Sequence, residues 1–296
     1  MKRLSNGLLA LALLLAWGEP HYELYAATTL TRIPDRATHI IYRDTDGSYK
    51  AVRTSDGKVL LYHAQDASFV INGLLGGLGP SLYYSPSAAN PRFREGRKIV
   101  LNEGVYNLYN TVVIPPNQDL IFEADRVIFN AVPGFVNSDI IRIDSSMNSK
   151  FTLGIVVSNG DGNTCVRVKP YGQGPDDMVV FTTSEIYIEA VVGSGNGLVV
   201  DGRKGAVEFT DMTVREVNLY GNRSDDIGIH VLVPASDRII RGNTVTVKRV
   251  NQTPEVLRIE PSGNIRSNRF ILNMTDAESA SVTDFNDTSN NTIIRY

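Results

Sequence analysis

Cysteine is almost missing from these 296 residues: Cys165 stands alone. It has no internal partner, so no disulfide staples the chain, and in the run CVRV it reads as a small apolar core residue. Histidine is nearly as scarce. His21, His39, His63 and His230 are scattered, which excludes a zinc site built on Cys/His spacing. There is no surplus of positive charge, with 29 Lys+Arg against 32 Asp+Glu and a net charge of −3, and this argues against a nucleic-acid partner. No glycine loop is followed by Lys-Ser/Thr, which removes a phosphate cradle of the P-loop kind. EF-hand and nonapeptide calcium repeats are missing too. After about residue 80 there are no amphipathic helical heptads, and no apolar run reaches the roughly 20 residues of a membrane span.

What remains is a chain of short apolar alternations joined by Gly, Asn, Asp, Ser and Thr, and from Asp139 to Tyr296 it repeats. The first alternation of successive units places Ile141, Val166, Leu198, Ile229, Leu257 and Val282 at steps of 25, 32, 31, 28 and 25 residues. A second marker, in GNTVTV, SNRFIL and NNTIIR, places Asn243, Asn268 and Asn291 at steps of 25 and 23. Two markers sharing one period point to a solenoid, and the two-residue alternation makes it a solenoid of strands. The expected fold class is all-β, a parallel β-helix. Stacked rungs place equivalent residues in columns about 4.8 Å apart. The Asn column should supply left-handed corners and a side-chain ladder.

Three segments are expected. Residues 1–18 have a basic start, an apolar run from Leu8 to Trp17 and the small-x-small triplet Ala16-Trp17-Gly18, the layout of a secretory signal. If retained, this segment is the one part that could engage a membrane or a partner. Residues 19–97 form a capping module. It has short strands in HIIYRDTDGSYKAV and GKVLLYH, with turns at Asp46-Gly47 and Asp56-Gly57. A helix follows, capped by Asp66, with Phe69, Val70, Leu74 and Leu75 on its apolar face and a Gly pair as its stop. Covering the open end of a solenoid is the physical task of such a helix. An irregular excursion over 77–97 carries Tyr83, Tyr84, Arg92, Arg94 and Arg97. Residues 98–296 are the stack, whose last rung, NTIIRY, has no amphipathic capping helix after it and leaves an edge for a second copy.

The opening of the stack, KIVLNEGVYNLYNTVVIPPNQDLIFEADRVIFN, resembles the first coils of right-handed parallel β-helix proteins of the pectate-lyase superfold. IIYRDTDGSYKAVRTSDGKV with DASFVINGLL looks like the module that leads into such helices in proteins of thermophilic archaea and their viruses. The resemblance spans about Thr38 to Tyr296 and implies the right-handed fold, with a small N-terminal strand and helix cap. It also allows a test of chemistry. Polygalacturonases of the superfold carry N-x-D, D-D, G-H-G and R-x-K; this chain has Asn159-Gly160-Asp161 and Asp225-Asp226 but no G-H-G or R-x-K, so the Asp pair reads as a turn capping a rung. Pectate lyases set an acidic calcium cluster beside an arginine base, for which Asp176, Asp177 and Arg203 are the nearest positions.

Function belongs to the outward columns. One holds Arg142, Arg167, Val199, His230 and Arg258, and its neighbour Asp144, Lys169, Asp201, Leu232 and Glu260. The cations of the first could bind a carbohydrate carboxylate. Carboxylates two rungs apart, such as Asp144 with Asp201 or Asp201 with Glu260, stand about 9–10 Å from each other, within reach of an inverting general acid and base. Asp144, Asp201, Glu260, Asp225 and Asp226 are therefore the catalytic candidates. No cofactor is expected except calcium, for which the loop carboxylates Asp161, Asp176 and Asp177 suit a hard cation. Sequons at Asn222, Asn251, Asn273, Asn286 and Asn290 fit an exposed, glycosylated surface. The sequence thus favours a non-enzymatic structural or adhesive protein, secreted, on a cell surface or on a virion. Its partners would be glycans, surface or virion proteins, or further copies of itself. The alternative is a polysaccharide lyase or glycoside hydrolase acting on an acidic polysaccharide.

Overall fold

The computed structural model describes residues 37–78, 97–160, 162–170, 180–221, 226–232, 238–275, 280–284 and 290–296. From about residue 112 the chain winds through three parallel sheets in a fixed order, one strand in each per turn, except that one turn splits its first-sheet strand into Thr244–Val247 and Val250–Asn251 and the last has no described strand in the third sheet. One such turn runs from Lys150–Ser158 to Thr164–Val168 to Val180–Thr182 and then starts the next with Glu185–Gly193. The first sheet holds the long strands and the second holds seven strands from Val112–Ile114 to Ser281–Asp284. The third is made of six strands of two or three residues, from Asn117–Gln118 to Ile265–Arg266. The result is an all-β chain of stacked coils.

Alternation sorts each strand. In the second sheet the inward register runs Val112, Ile141, Val166, Leu198, Ile229, Leu257 and Val282, with Ile114, Ile143, Val168, Val200, Val231 and Ile259 alongside. These are the columns the period predicts. All but Val282 are buried, and each is worth roughly 1.5–3 kcal/mol of burial. The rings of Tyr106 and Phe129 (centroids 6.3 Å apart) and of Phe151 and Phe181 (6.2 Å) fill the space between sheets.

The Asn column is a ladder. Asn243 donates from Nδ2 to Asn268 Oδ1 at 2.9 Å, and Asn268 donates to Asn291 Oδ1 at 3.1 Å. Earlier rungs continue it: Thr210 N donates to Asn243 Oδ1, and hydroxyls are the acceptors where Ser149 N donates to Ser184 Oγ and Leu120 N to Ser149 Oγ. The expectation that these asparagines are themselves left-handed is corrected. The positive-φ residue is the one before each: Asp119, Asn148, Thr183, Phe209, Gly242, Ser267 and Asn290. The preceding residue turns the chain, and the ladder side chain is thereby aimed inward at the neighbouring rung.

At the start of the stack, His39–Arg43 pairs in parallel with Lys98–Leu101, and Tyr49–Arg53 and Val59–His63 follow antiparallel. Gly47 and Gly57 take the left-handed turn positions, at φ of 85° and 66°. The helix Ala67–Leu78 is capped by Asp66, whose Oδ1 accepts from Ser68 N at 2.8 Å. Ala67, Val70, Ile71, Leu74 and Leu75 form its buried face, continuous with the core of the stack. Two expectations are corrected here. Phe69 is 53% exposed, lying on the far face against the His63 ring, because positions 67, 70, 71, 74 and 75 already fill the inward stripe. Gly76 and Gly77 lie inside the helix and not after it.

Candidate functional site

The outward face of the second sheet carries a polar cleft of about 360 Å³, lined by Thr111, Asn137, Ser138, Asp139, Arg142, Gly162, Thr164, Arg167, Lys169 and Arg203. Register explains the set. Arg142 pairs with Arg167 across neighbouring strands, as Asp139 does with Thr164. Lys169 follows Val168, and Arg203 follows the strand Asn196–Asp201.

Arginines and aspartates interlock across three turns. Arg142 donates from Nε to Asp144 Oδ1 (2.8 Å) and from Nη2 to Oδ2 (3.3 Å). Arg167 donates to Asp139 Oδ1 (2.6 Å), Asp201 Oδ2 (3.2 Å) and Thr164 Oγ1 (3.2 Å). Arg203 holds Asp201 through Nε (2.8 Å), Nη2 (2.6 Å) and its backbone N (3.2 Å). All four oxygens of Asp144 and Asp201 therefore face guanidinium groups. Lys169 makes no ion pair among the described residues. It is a half-buried ammonium lining the cleft.

The two carboxylates are not the solvated ladder that alternation suggests. Asp144 is 4% exposed and Asp201 is 0% exposed, because the arginine planes lie over them. Val199, expected to face outward, is buried as well between Arg167 and His230 in its column. Burial pushes the Asp144 carboxyl above its ordinary range, with Arg142 and Lys169 only partly opposing it. For Asp201 burial also pushes upward, but the hydrogen bonds from Arg203 and the charges of Arg203 and Arg167 outweigh it and leave the carboxyl below its ordinary range. Two carboxylates two turns apart are thus displaced in opposite directions.

The remaining predicted residues fall elsewhere. His230 and Glu260 form their own pair, Nε2 to Oε1 at 2.8 Å, with Asn196 Oδ1 3.3 Å from Nδ1. Arg258 is paired with Glu255. So Arg142 and Arg167 meet in the cleft, whereas His230 and Arg258 lie on later turns and do not line it. Asp226 is buried and accepts from Gly195 N at 2.6 Å; the turn expected of the Asp225-Asp226 pair lies partly outside the described residues. Asp225, Asp161, Asp176, Asp177, Asn222 and Asn286 lie outside the described residues, as do residues 1–18 and Tyr83, Tyr84, Arg92 and Arg94.

Among the sequons, Asn290 is exposed and Asn273 half-buried. Asn251 is buried, its Nδ2 donating to Glu216 Oε1 at 2.8 Å. That corrects its reading as a glycosylation position, since its amide is occupied inside the fold. Among the described residues no group of three or more His, Cys, Asp or Glu side chains gathers as a metal site. Cys165 is fully buried and burial pushes its thiol up to about 12, so at neutral pH it stays an unreactive core group.

Asp139, Thr111, Ser138 and Asn137 were missed by sequence reasoning. Only Asp139 carries a signal, as the leading residue of DIIRID, flanking the same strand as Asp144. The others join the cleft through connections whose path no periodicity encodes. Comparison of the chain with protein-family models, curated proteins and solved structures gives no match.

Proposed function

We propose that this chain is a right-handed parallel β-helix serving as a non-enzymatic structural or adhesive protein of a cell surface or virion, and that it grips acidic glycans in the cleft over Lys169. The right hand is supported by the general rule for parallel crossovers, which take it in about 98% of cases. The signal-like residues 1–18 support export. The observation that carries the reading is how arginine holds the carboxylates at the cleft: Asp144 and Asp201, which flank it, have every oxygen bound to an arginine, and Asp139, the carboxylate in its lining, is held through Oδ1 by Arg167. A general acid or base needs an oxygen open to substrate, which Asp144 and Asp201 do not offer; the lining sets four cations, Arg142, Arg167, Lys169 and Arg203, against the one carboxylate of Asp139, and among the described residues Lys169 is the cation of that set that no carboxylate holds.

A titration of oligogalacturonate into the folded protein tests this, with product assayed in parallel as new reducing ends or unsaturated uronate. The expected outcome is saturable binding that weakens at least tenfold in Lys169→Met, with no product formed. Product formation would overturn it in favour of a lyase or hydrolase of acidic polysaccharide. That second reading has one observation in its favour, the opposite displacement of Asp144 and Asp201, and it requires Asp144→Asn to abolish turnover. Cell fractionation and particle purification check the location.

Self-association is part of the same reading. The strand Thr292–Arg295 pairs with Arg269–Leu272 and with no other described strand, so a further copy could continue the sheet. Sizing at rising concentration would show it. Calcium at Asp161, Asp176 and Asp177 would raise the melting temperature on calcium addition and lower it with chelator.

A further inference from the structure

We infer that Phe209, on the corner of the third sheet, is a stacking platform for a neutral pyranose, separate from the acidic-glycan cleft. The ring is 56% exposed and its backbone sits in the left-handed region at φ 49°. The same corner on other turns is held by Asp119, Asn148, Gly242, Ser267 and Asn290, small or polar residues, and by the β-branched Thr183; Phe209 is the one aromatic among these corner residues. A bulky aromatic there is strained, and its exposure means that little burial offsets the strain. The neighbouring turn is shaped to receive it. Gly242, itself left-handed at φ 65°, leaves its backbone bare beside the ring: a Cβ there would fall 2.7 Å from the Phe209 ring. The Arg241 guanidinium stands 5.5 Å from the ring centroid and is fixed by Glu208 Oε1, which accepts from Nε at 2.7 Å.

The surroundings select the ligand. The corner positions on either side of Phe209 and Gly242 are Thr183 and Ser267, so one isolated ring stands among hydroxyls and a Glu–Arg pair. Protein hot spots instead sit in packed patches ringed by further contacts that exclude water. A pyranose has the matching outline: one C–H face for the negative face of the ring and a rim of hydroxyls for Glu208, Arg241 and the flanking side chains. A neutral sugar suits a pair whose charges already cancel.

The test is titration of cellohexaose, xylohexaose, mannohexaose and chitohexaose into the whole protein by saturation-transfer NMR, beside thermal melts. At least one hexaose should bind the wild type, bind Phe209→Asn at least tenfold more weakly, and bind Phe209→Trp with retained affinity. Phe209→Asn should melt no lower than wild type, because asparagine tolerates the left-handed corner. A lower melting temperature would make the ring a structural residue and overturn the proposal. So would failure of all four hexaoses to bind, or equal binding by wild type and Phe209→Asn. Oligogalacturonate binding measured on the same variant should stay at the wild-type value, which separates this site from the cleft; its simultaneous loss overturns the assignment of two sites.

Discussion

Asn268 shows how much one side chain can hold in a stack. Its Oδ1 accepts from both Asn243 N (3.1 Å) and Asn243 Nδ2 (2.9 Å), and its Nδ2 donates to Ile240 O (3.0 Å) and Asn291 Oδ1 (3.1 Å). Truncation to alanine orphans buried donors on the previous turn and a carbonyl beside it, so Asn268→Ala should cost about 2–3 kcal/mol in denaturant unfolding. Asn268→Ser should lose less, since hydroxyls fill the same column at Ser149 and Ser184. The buried aspartates make a pH prediction of opposite signs. Asp144 has a raised folded pKa, so the folded state binds its proton more readily and stability rises as pH falls from that value toward 3.8. Asp201 has a lowered folded pKa, so its contribution is present above 3.8 and is lost as pH falls through the folded value. Asp144→Asn should therefore be neutral or stabilising at pH 7. Asp201→Asn should cost about 3 kcal/mol by leaving Arg167 and Arg203 without their shared carboxylate. Chemical denaturation of both variants between pH 3 and 7 checks the signs. Sequence placed these carboxylates on the outward face correctly, but their burial was hidden, because alternation reports only which way a side chain leaves the backbone and not that an arginine two residues away, or one on the previous turn, will lie over it.

At the scale of elements, the long strands follow from period-two alternation and were legible for that reason. The third sheet was not, since strands such as Ser146–Met147 and Ile240–Arg241 have two residues each, too few to show a period. Its corners escaped as well, because the left-handed column mixes Asp, Asn, Thr, Phe, Gly and Ser and no single residue type marks it. The helix was found from its cap and stripe, while the Gly pair misled because packing of Leu74 and Leu75 on the stack carries the helix through it. Another feature invisible in sequence is the irregularity where Lys150–Ser158 meets Ile121–Ala131, with register shifting between Leu153 and Ile155. Gly154 sits at that shift, and a Cβ there would stand 2.0 Å from Val127 O and 2.9 Å from Ala124 O. Backbone cannot swing aside as a side-chain tip can, so Gly154→Ala should cost about 3 kcal/mol, read as a fall in denaturation midpoint with an unchanged slope.

For the whole molecule the question is whether cap and stack unfold together. Solenoids are close to one-dimensional, and turns that touch only their neighbours can melt from one end. Here the helix Ala67–Leu78 shares a continuous core with the coils, Val70, Ile71, Leu74 and Leu75 lying in one buried cluster with Leu108, Val112 and Ile141. Asn72 ties the two further, donating from Nδ2 to Thr111 O at 2.8 Å and accepting from Val113 N at 2.9 Å. The hairpin ahead of the helix is fastened likewise, Tyr106 Oη donating to Ile41 O at 3.0 Å. Such coupling makes the helix a lid on the first coil and not an independent module. Leu75→Asp would place a charge in that core, where its desolvation is uncompensated. It should shift the entire melt downward as one transition, followed together by far-ultraviolet circular dichroism and calorimetry. Val200→Asp, in the middle of the stack, should do the same or prevent folding. A Leu75→Asp protein that instead shows an early helical transition and an unshifted sheet transition would mean that the cap and the coils hold separate cores.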